Sequence, residues 1–259
     1  MRVYILNAEQ GSPRHLQYIR CNYWFWERGY EVITFENEEL FSGALDKILQ
    51  TDLENIIFVG SVGIMYEVIR RANKPKPTVT DFPEELKDFF GRKIIMATMA
   101  DVHKWVNDEP NRLPLHIKPA DKQKLFVGAV VEKFRDIIPM SHVSNEEPVF
   151  VQEVIKMKSE WRASILRKKI INVSHYHGDP LLFPDKNIMV SALEKFSTAP
   201  IGFAMDWAVL EDGRTILIEV NDGFGLGNYG VPGYLYTALI ECRWRELMGL
   251  KDSGVGLSK

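Results

Sequence analysis

Phe203 to Asn221 reads FAMDWAVLEDGRTILIEVN, two alternating strand-like runs on either side of Asp212-Gly213. Asp-Gly flanked by such runs is the strongest short hairpin signal. With Asp212 and Gly213 as the turn, Glu211 pairs with Arg214, and counting outward in step brings Asp206 directly opposite Glu219. A period of two then sets Asn221 beside Glu219 on that face and Ile216, Ile218 and Val220 on the other. Two carboxylates facing each other about 5 Å apart at Cβ destabilise a sheet unless a cation lies between them. Oxygen-only ligands suit magnesium, which keeps several waters and is shared with a nucleotide phosphate. Neutralising either acid is therefore expected to relieve repulsion and leave the metal-free hairpin folded. The alternative is an exposed hairpin that carries two acids and no ion.

Composition narrows the classes around this hairpin. The chain has 259 residues, 46% hydrophobic and 26% charged, which is ordinary for a globular protein and long enough for one large domain or two smaller ones. A formal charge of -3 argues against a general nucleic-acid binder or anionic-membrane binder, since both need a basic surface. The sequence holds no run approaching the roughly 18 apolar residues of a membrane span, and Met1-Arg2 leads straight into the strand-like Val3 to Leu6. A cytoplasmic location is expected. Cys21 and Cys242 are far apart in helix-like segments and read as core thiols.

The N-terminal part alternates strand and helix: Val3 to Leu6, Pro13 to Arg28, Glu31 to Phe35, Glu38 to Gln50, Ile56 to Val59 and Gly63 to Ala72. That order predicts an open α/β unit with parallel strands. Tyr23, Trp24, Phe25 and Trp26 read as its helix core. Pro75 and Pro77 mark a boundary, and Asp81 is the expected N-cap of a helix over Pro83 to Phe90. Beyond Arg92 strands predominate, at Lys93–Met96, Leu115–Lys118, Leu125–Val131, Val149–Glu153, Glu160–Leu166, Ile170–Tyr176 and the two arms of the hairpin. Helices are expected over Met99–Val106, Lys186–Phe196 and Gly233–Met248.

Three clusters upstream of the hairpin suit a nucleotide. His116 to Gly128 ends a strand at Lys118 and places Lys122 and Lys124 in the next connection, where mobile ammonium groups can reach phosphates or simply be solvated. Val149 to Ile155 is an apolar strand carrying Gln152 and Glu153 at its end, fit to accept from an adenine amine while neighbouring backbone reads the ring edge. Glu160 and Arg162 share a face by alternation. Glu160 suits ribose hydroxyls and Arg162 suits charge on a transferring phosphoryl or acyl phosphate; the alternative is an ion pair between the two. Gly225 to Gly230 matches G-x-G-x-x-G, but no second strand with an acidic residue follows, so the glycines read as a loop that brings backbone close to a ligand. The chain has no G-x-x-x-x-G-K-[ST] loop. His175 and His177 lack further ligands for a zinc set.

Taken together, Lys118, Glu153, Glu160, Asp206, Glu219 and Asn221 resemble the ATP-grasp superfamily in type, order and spacing, over residues from about 92 to 248. The KPADKQKLFVG, SEWR and IEVNDGFGLGNYG stretches resemble a small clade of ATP-grasp proteins from bacteria and their viruses. The resemblance implies an open α/β pre-ATP-grasp domain over 1–90 and an α+β ATP-grasp fold over 91–259, whose subdomains, about 91–152 and 153–259, clasp ATP. It assigns Lys93, Lys118, Lys124, Gln152, Glu153, Ile155 and Glu160 to ATP, and Asp206, Glu219 and Asn221 to magnesium, with manganese as the alternative ion. Arg162 and Lys124 become catalytic, and Asp222, Asn228 and Tyr229 are candidates for substrate contact.

The activity implied is ADP-forming ligation of a carboxylate to an amine or thiol through an acylphosphate, on an amino acid, a peptide or a protein end. A homodimer is compatible with it. A nucleotide-binding module without ligation, or a kinase-like phosphoryl transferase, are the alternatives. Several ligases of the superfamily carry an arginine two residues before the first metal aspartate; here that position is Ala204, and Arg162 is the candidate to replace it.

Overall fold

The computed structural model describes every residue except 9, 11, 13, 79–80, 121–124 and 257–259. The N-terminal strands β1 (Arg2–Leu6), β2 (Glu31–Phe35) and β3 (Ile56–Val59) pair in parallel in the order β2-β1-β3. Their crossovers carry α1 (His15–Glu27), α2 (Asn37–Phe41), α3 (Asp46–Thr51) and, after β3, α4 (Val62–Arg71). The helix expected over Glu38 to Gln50 is two helices, because the chain turns at Gly43 with φ of +86°, where a side chain would be strained. Ser61 caps α4 by accepting from the Ile64 amide.

In α1 only part of the aromatic run is core. Tyr18, Cys21 and Phe25 face the sheet at helical spacing, whereas Tyr23 and Trp26 remain 54% and 65% exposed. Four consecutive aromatics cannot share one face of a helix, which is why the expectation of a wholly buried cluster fails.

Two antiparallel sheets follow. β4 (Ile94–Thr98), β5 (Leu115–Pro119), β6 (Ala129–Val131) and β7 (Pro148–Glu153) are ordered β4-β7-β5-β6, with β6 shorter than the Leu125–Val131 expected. α5 (Met99–Asp108), opened by a Thr98–Asp101 capping box, packs Met99 and Val102 onto Ile117, Val149 and Val151. β8 (Met157–Leu166), β9 (Lys169–Gly178), β10 (Gly202–Leu210) and β11 (Thr215–Asp222) are ordered β11-β10-β8-β9. One face of this sheet is sealed by α6 (Lys186–Lys195) and by the 3-10 segment Glu84–Phe89, through Leu86, Phe90, Met189 and Leu193 against Phe203, Met205 and Trp207. Pro83, not Asp81, stands at the N-cap of that segment, and Asp81 is free to act elsewhere.

The last helix, α7 (Gly233–Leu247), returns to the beginning of the chain. Tyr236, Ile240 and Trp244 join Val3, Ile5, Phe25 and Phe58 in one core, so the parallel sheet receives its second cover from the C-terminus. Arg28 and Tyr30 both donate to the buried Glu241 carboxylate, at 2.5 and 2.7 Å. Cys21 and Cys242 are buried free thiols.

The decisive hairpin reaches its expected partner by a different route. Leu210 N donates to Arg214 O at 2.8 Å, so Glu211-Asp212-Gly213 is a three-residue loop with Gly213 at φ +83°. That register alone would set Asp206 against Ile218. A bulge at Ile218, between the pairs Trp207–Leu217 and Asp206–Glu219, restores the Asp206–Glu219 pairing. The same bulge corrects the face assignment: Ile216 and Ile218 pack together, while Val220 turns to the opposite side with Leu217.

Candidate active site

The face of the second antiparallel sheet not covered by α6 opens on a cleft of about 710 Å³. Alternation along β8 points Glu160 and Arg162 into it, β10 adds Asp206, and β11 adds Ile218, Glu219, Asn221 and Asp222. Across the cleft β5 contributes His116 and Lys118, and the connection after it contributes Phe126, Val127 and Gly128. Val62 from the start of α4 and the loop Phe224–Gly227 close the end nearest the parallel sheet.

The charges inside are fully arranged. Arg162 grips Asp206 with two parallel bonds, Nε to Oδ1 at 2.7 Å and Nη2 to Oδ2 at 2.6 Å. Lys118 Nζ lies 2.5 Å from both Glu219 Oε2 and Asp81 Oδ2 and so bridges β5, β11 and the segment after the proline-rich boundary. Asn221 Nδ2 donates to Asp206 Oδ2 at 3.1 Å and to Glu219 Oε1 at 3.2 Å. The two facing carboxylates are thus balanced by protein cations and an amide, so the pairing is relieved from outside the pair and not only by a cation lying between the acids. Burial pushes the Lys118 ammonium down, but Glu219 and Asp81 outweigh it and hold its pKa above the ordinary value. Burial likewise pushes Glu219 up, and Lys118 and Asn221 bring it below the ordinary carboxylate range. Arg162 is raised in spite of its burial by the bonds and charge of Asp206, and stays a cation.

A smaller compartment of about 270 Å³ adjoins the cleft where β7 passes into β8, and shares His116, Lys118, Glu160, Ile218 and Glu219 with it. Gln152, Glu153 and Ile155 line it, with Phe82, Arg92 and Met157. Gln152 Oε1 accepts from Arg92 at 3.0 and 2.7 Å, and its amide meets the His116 ring at 3.3 Å. Glu153 accepts from the Lys93 backbone amide at 2.7 Å.

Not every expected residue arrives. Lys93 is exposed and lines neither space; its neighbour Arg92 does, anchored on the carbonyls of Leu217 and Ile218 at 3.0 and 2.7 Å, with burial lowering its pKa to about 10. Lys124 lies outside the described residues. Glu160 does not pair with Arg162; its carboxylate faces His177 Nδ1 at 3.2 Å. Asp222 lines the cleft, but both its oxygens are held by Arg243 at 2.6 and 2.5 Å. Asn228 turns back on its own loop, donating to Val231 O at 2.8 Å and accepting from Gly230 N at 3.0 Å. The Tyr229 ring lies under the Arg162 guanidinium, 4.1 Å from its centroid. His175 packs on Trp161. Asp81, Arg92, His116 and Tyr176, all of which line one of the two spaces, were not among the site residues expected from the sequence. Alternation from Lys118 would have found His116, whereas nothing local marks Asp81.

The oxygen set Asp206, Glu219 and Asn221 fits a hard divalent ion in donor type. Among the described residues no group of three His, Cys, Asp or Glu side chains is placed to hold a metal. Among the described residues, too, no helix is long and apolar enough to cross a membrane.

The model of the family described as ATP-grasp domain, R2K clade family 2, matches residues 89–239. The fold is similar to that of an L-amino acid ligase from Bacillus licheniformis, at 13% identity and TM-score 0.58, over 98% of this chain and 75% of that one. It is also similar to a D-alanine–D-alanine ligase from Bacillus anthracis complexed with ATP, at 16% identity and TM-score 0.54, over 96% and 95% of the two chains. D-alanyl-alanine synthetase A from Vibrio cholerae matches at 11% identity and TM-score 0.54, over 96% and 98%. At these identities the likeness is one of fold. No curated protein matches the sequence significantly.

Proposed function

Since the chain belongs to the ATP-grasp domain family, R2K clade family 2, we propose that it is an ATP-dependent ligase. It would join a carboxylate to an amine or thiol through an acylphosphate and release ADP and phosphate. The observation that carries this reading is the convergence of Lys118, Arg162, Asp206, Glu219 and Asn221 on one cleft, beside a second compartment at the β7–β8 passage. The division into residues 1–90 and 91–259, with subdomains meeting near 152, belongs to the same proposal.

In this reading the adenine enters the smaller compartment against Gln152, Glu153 and Ile155, and Glu160 takes the ribose hydroxyls. Lys118 leaves Glu219 for the phosphates, joined by Lys124. Asp206, Glu219 and the turned amide of Asn221 would hold magnesium, which when bound offsets phosphate charge. A substrate carboxylate oxygen then attacks the γ-phosphorus, the bond to the bridging oxygen breaks, and ADP leaves. The amine or thiol attacks the resulting acyl carbon, the acyl carbon–oxygen bond breaks, phosphate departs, and the nucleophile gives up its proton. Arg162 stabilises charge on the phosphoryl oxygens in both steps. An amino acid, a peptide or a protein end fits the end of the cleft where apolar Val62, Phe224 and Leu226 adjoin Asn221 and Asp222, and the cytoplasm is the compartment that supplies its ATP.

The test is ADP release by the purified chain with pooled carboxylates and amines. Release that needs both partners supports ligation. Release with a carboxylate alone and a stable phosphorylated product would replace the ligase by a phosphoryl transferase, and nucleotide binding without turnover would leave a binding module.

A further inference from the structure

We infer that the outer face of α1 is a self-association surface whose occupant is a second copy of this chain, packed antiparallel across a two-fold axis. Leu16, Ile19, Tyr23 and Trp26 are 63%, 48%, 54% and 65% exposed. Their spacing of three, four and three residues lays them in one stripe along the helix. The opposite face of α1 already buries Tyr18, Cys21 and Phe25 in the core. A surface helix needs one apolar face, and this one has two. None of the four residues lines the cleft.

The stripe specifies its own partner. Its spacing reads the same from either end, with Cys21 at the midpoint. Two antiparallel copies therefore set Leu16 against Trp26 and Ile19 against Tyr23 twice over, as an isologous interface requires. Charge agrees with this. Arg20 and Glu27 follow Ile19 and Trp26 along one edge of the stripe and are both exposed. Helical side chains lean toward their own N-terminus. In the antiparallel pair Arg20 of one copy and Glu27 of the other, offset by about 7.5 Å along the axis, lean toward each other, while the two Arg20 side chains lean apart. Tryptophan, tyrosine and arginine are the residues that carry interface energy. A stripe this narrow is smaller than a standard interface of about 1,200–2,000 Å², so the dimer is expected to be reversible.

Sedimentation velocity of the full chain over a range of concentrations tests this. The expected result is a concentration-dependent monomer–dimer equilibrium that Ile19→Glu or Trp26→Asp weakens by about tenfold or more. Both sites are exposed, and circular dichroism checks that the variants are folded. Arg20→Glu alone and Glu27→Arg alone should each weaken the homodimer by placing like charges together. An equimolar mixture of those two variants should recover it, because opposite charges then face each other on both sides. A wild type monomeric at every concentration, a dimer indifferent to Ile19→Glu, or a mixture no tighter than its components would overturn the inference. The first of these would leave the stripe for a different protein.

Discussion

Arg162 and Asp206, 44 residues apart, are locked side by side on neighbouring strands by two bonds of 2.7 and 2.6 Å, with side chains only 9% and 5% exposed. The cation proposed to stabilise the transferred group and the first proposed metal ligand are therefore one unit. Neither can be altered without changing the other.

Asp206→Asn should consequently destabilise the fold by about 3 kcal/mol, because it leaves a buried guanidinium without its countercharge. This reverses the sequence-based expectation that neutralising the acid would relieve repulsion in the hairpin. Urea denaturation of Asp206→Asn, and of the double variant Arg162→Met with Asp206→Asn, should show the double variant recovering much of the loss. A single variant as stable as wild type would show the pair to be energetically idle.

Glu219→Gln should behave differently. Lys118 keeps Asp81 at 2.5 Å, so no buried cation is stranded and stability should change by less than about 1 kcal/mol. The thermal shift given by ATP with magnesium, worth about 2.7 kcal/mol at 100 times the dissociation constant, should be lost. Persistence of the shift would remove Glu219 from the metal set.

Arg162→Ala strands the buried Asp206 carboxylate and should also destabilise the fold by about 3 kcal/mol. Its lowered melting temperature should still shift with ATP and magnesium, yet below that temperature ADP release should fall by about 10²–10³-fold, the scale expected for one donor that acts in the transition state. Turnover at the wild-type rate would confine Arg162 to holding Asp206 and Tyr229.

Gly225→Ala should lower stability by about 1–3 kcal/mol. The residue has φ of +65°, and an added Cβ would stand 2.8 Å from the Val62 backbone nitrogen. Gly213→Ala has open space around it, so it suffers only the strain of its φ and should cost less. Thermal denaturation of the two variants separates close approach from backbone strain.

Acid sensitivity has a local source outside the cleft. The Arg70 hydrogen bond, with help from Arg71 and against its burial, holds the Glu67 carboxyl at about 2, below its ordinary value. A depressed folded-state pKa contributes stability that is present above the ordinary carboxylate value and lost as pH falls toward the folded one. Glu67→Gln should therefore be less stable than wild type at neutral pH and should lose less on acidification through that window. Parallel stability curves would remove Glu67 as a cause.

Local pattern determined a good deal here. Period-two alternation fixed which residues of β8 and β10 face one way, though not those of β11, and Gly and Pro placed the breaks between elements, because both act within a few residues of the chain. The pairing of Asp206 with Glu219 was also legible, although the route to it was not: a three-residue loop and a bulge at Ile218 offset each other, and a bulge leaves no reliable local signature. Tertiary structure alone decided what neutralises the facing acids. It set Arg162 on Asp206, brought Asp81 to Lys118 across the proline-rich boundary, placed Arg92 instead of Lys93 in the smaller compartment, and returned α7 to cover the first sheet. These pairings of Arg162 with Asp206, Asp81 with Lys118 and α7 with the first sheet depend on which surfaces remain to be buried once the sheets have paired. That is settled by contacts between segments up to some two hundred residues apart, as Arg28 and Glu241 show.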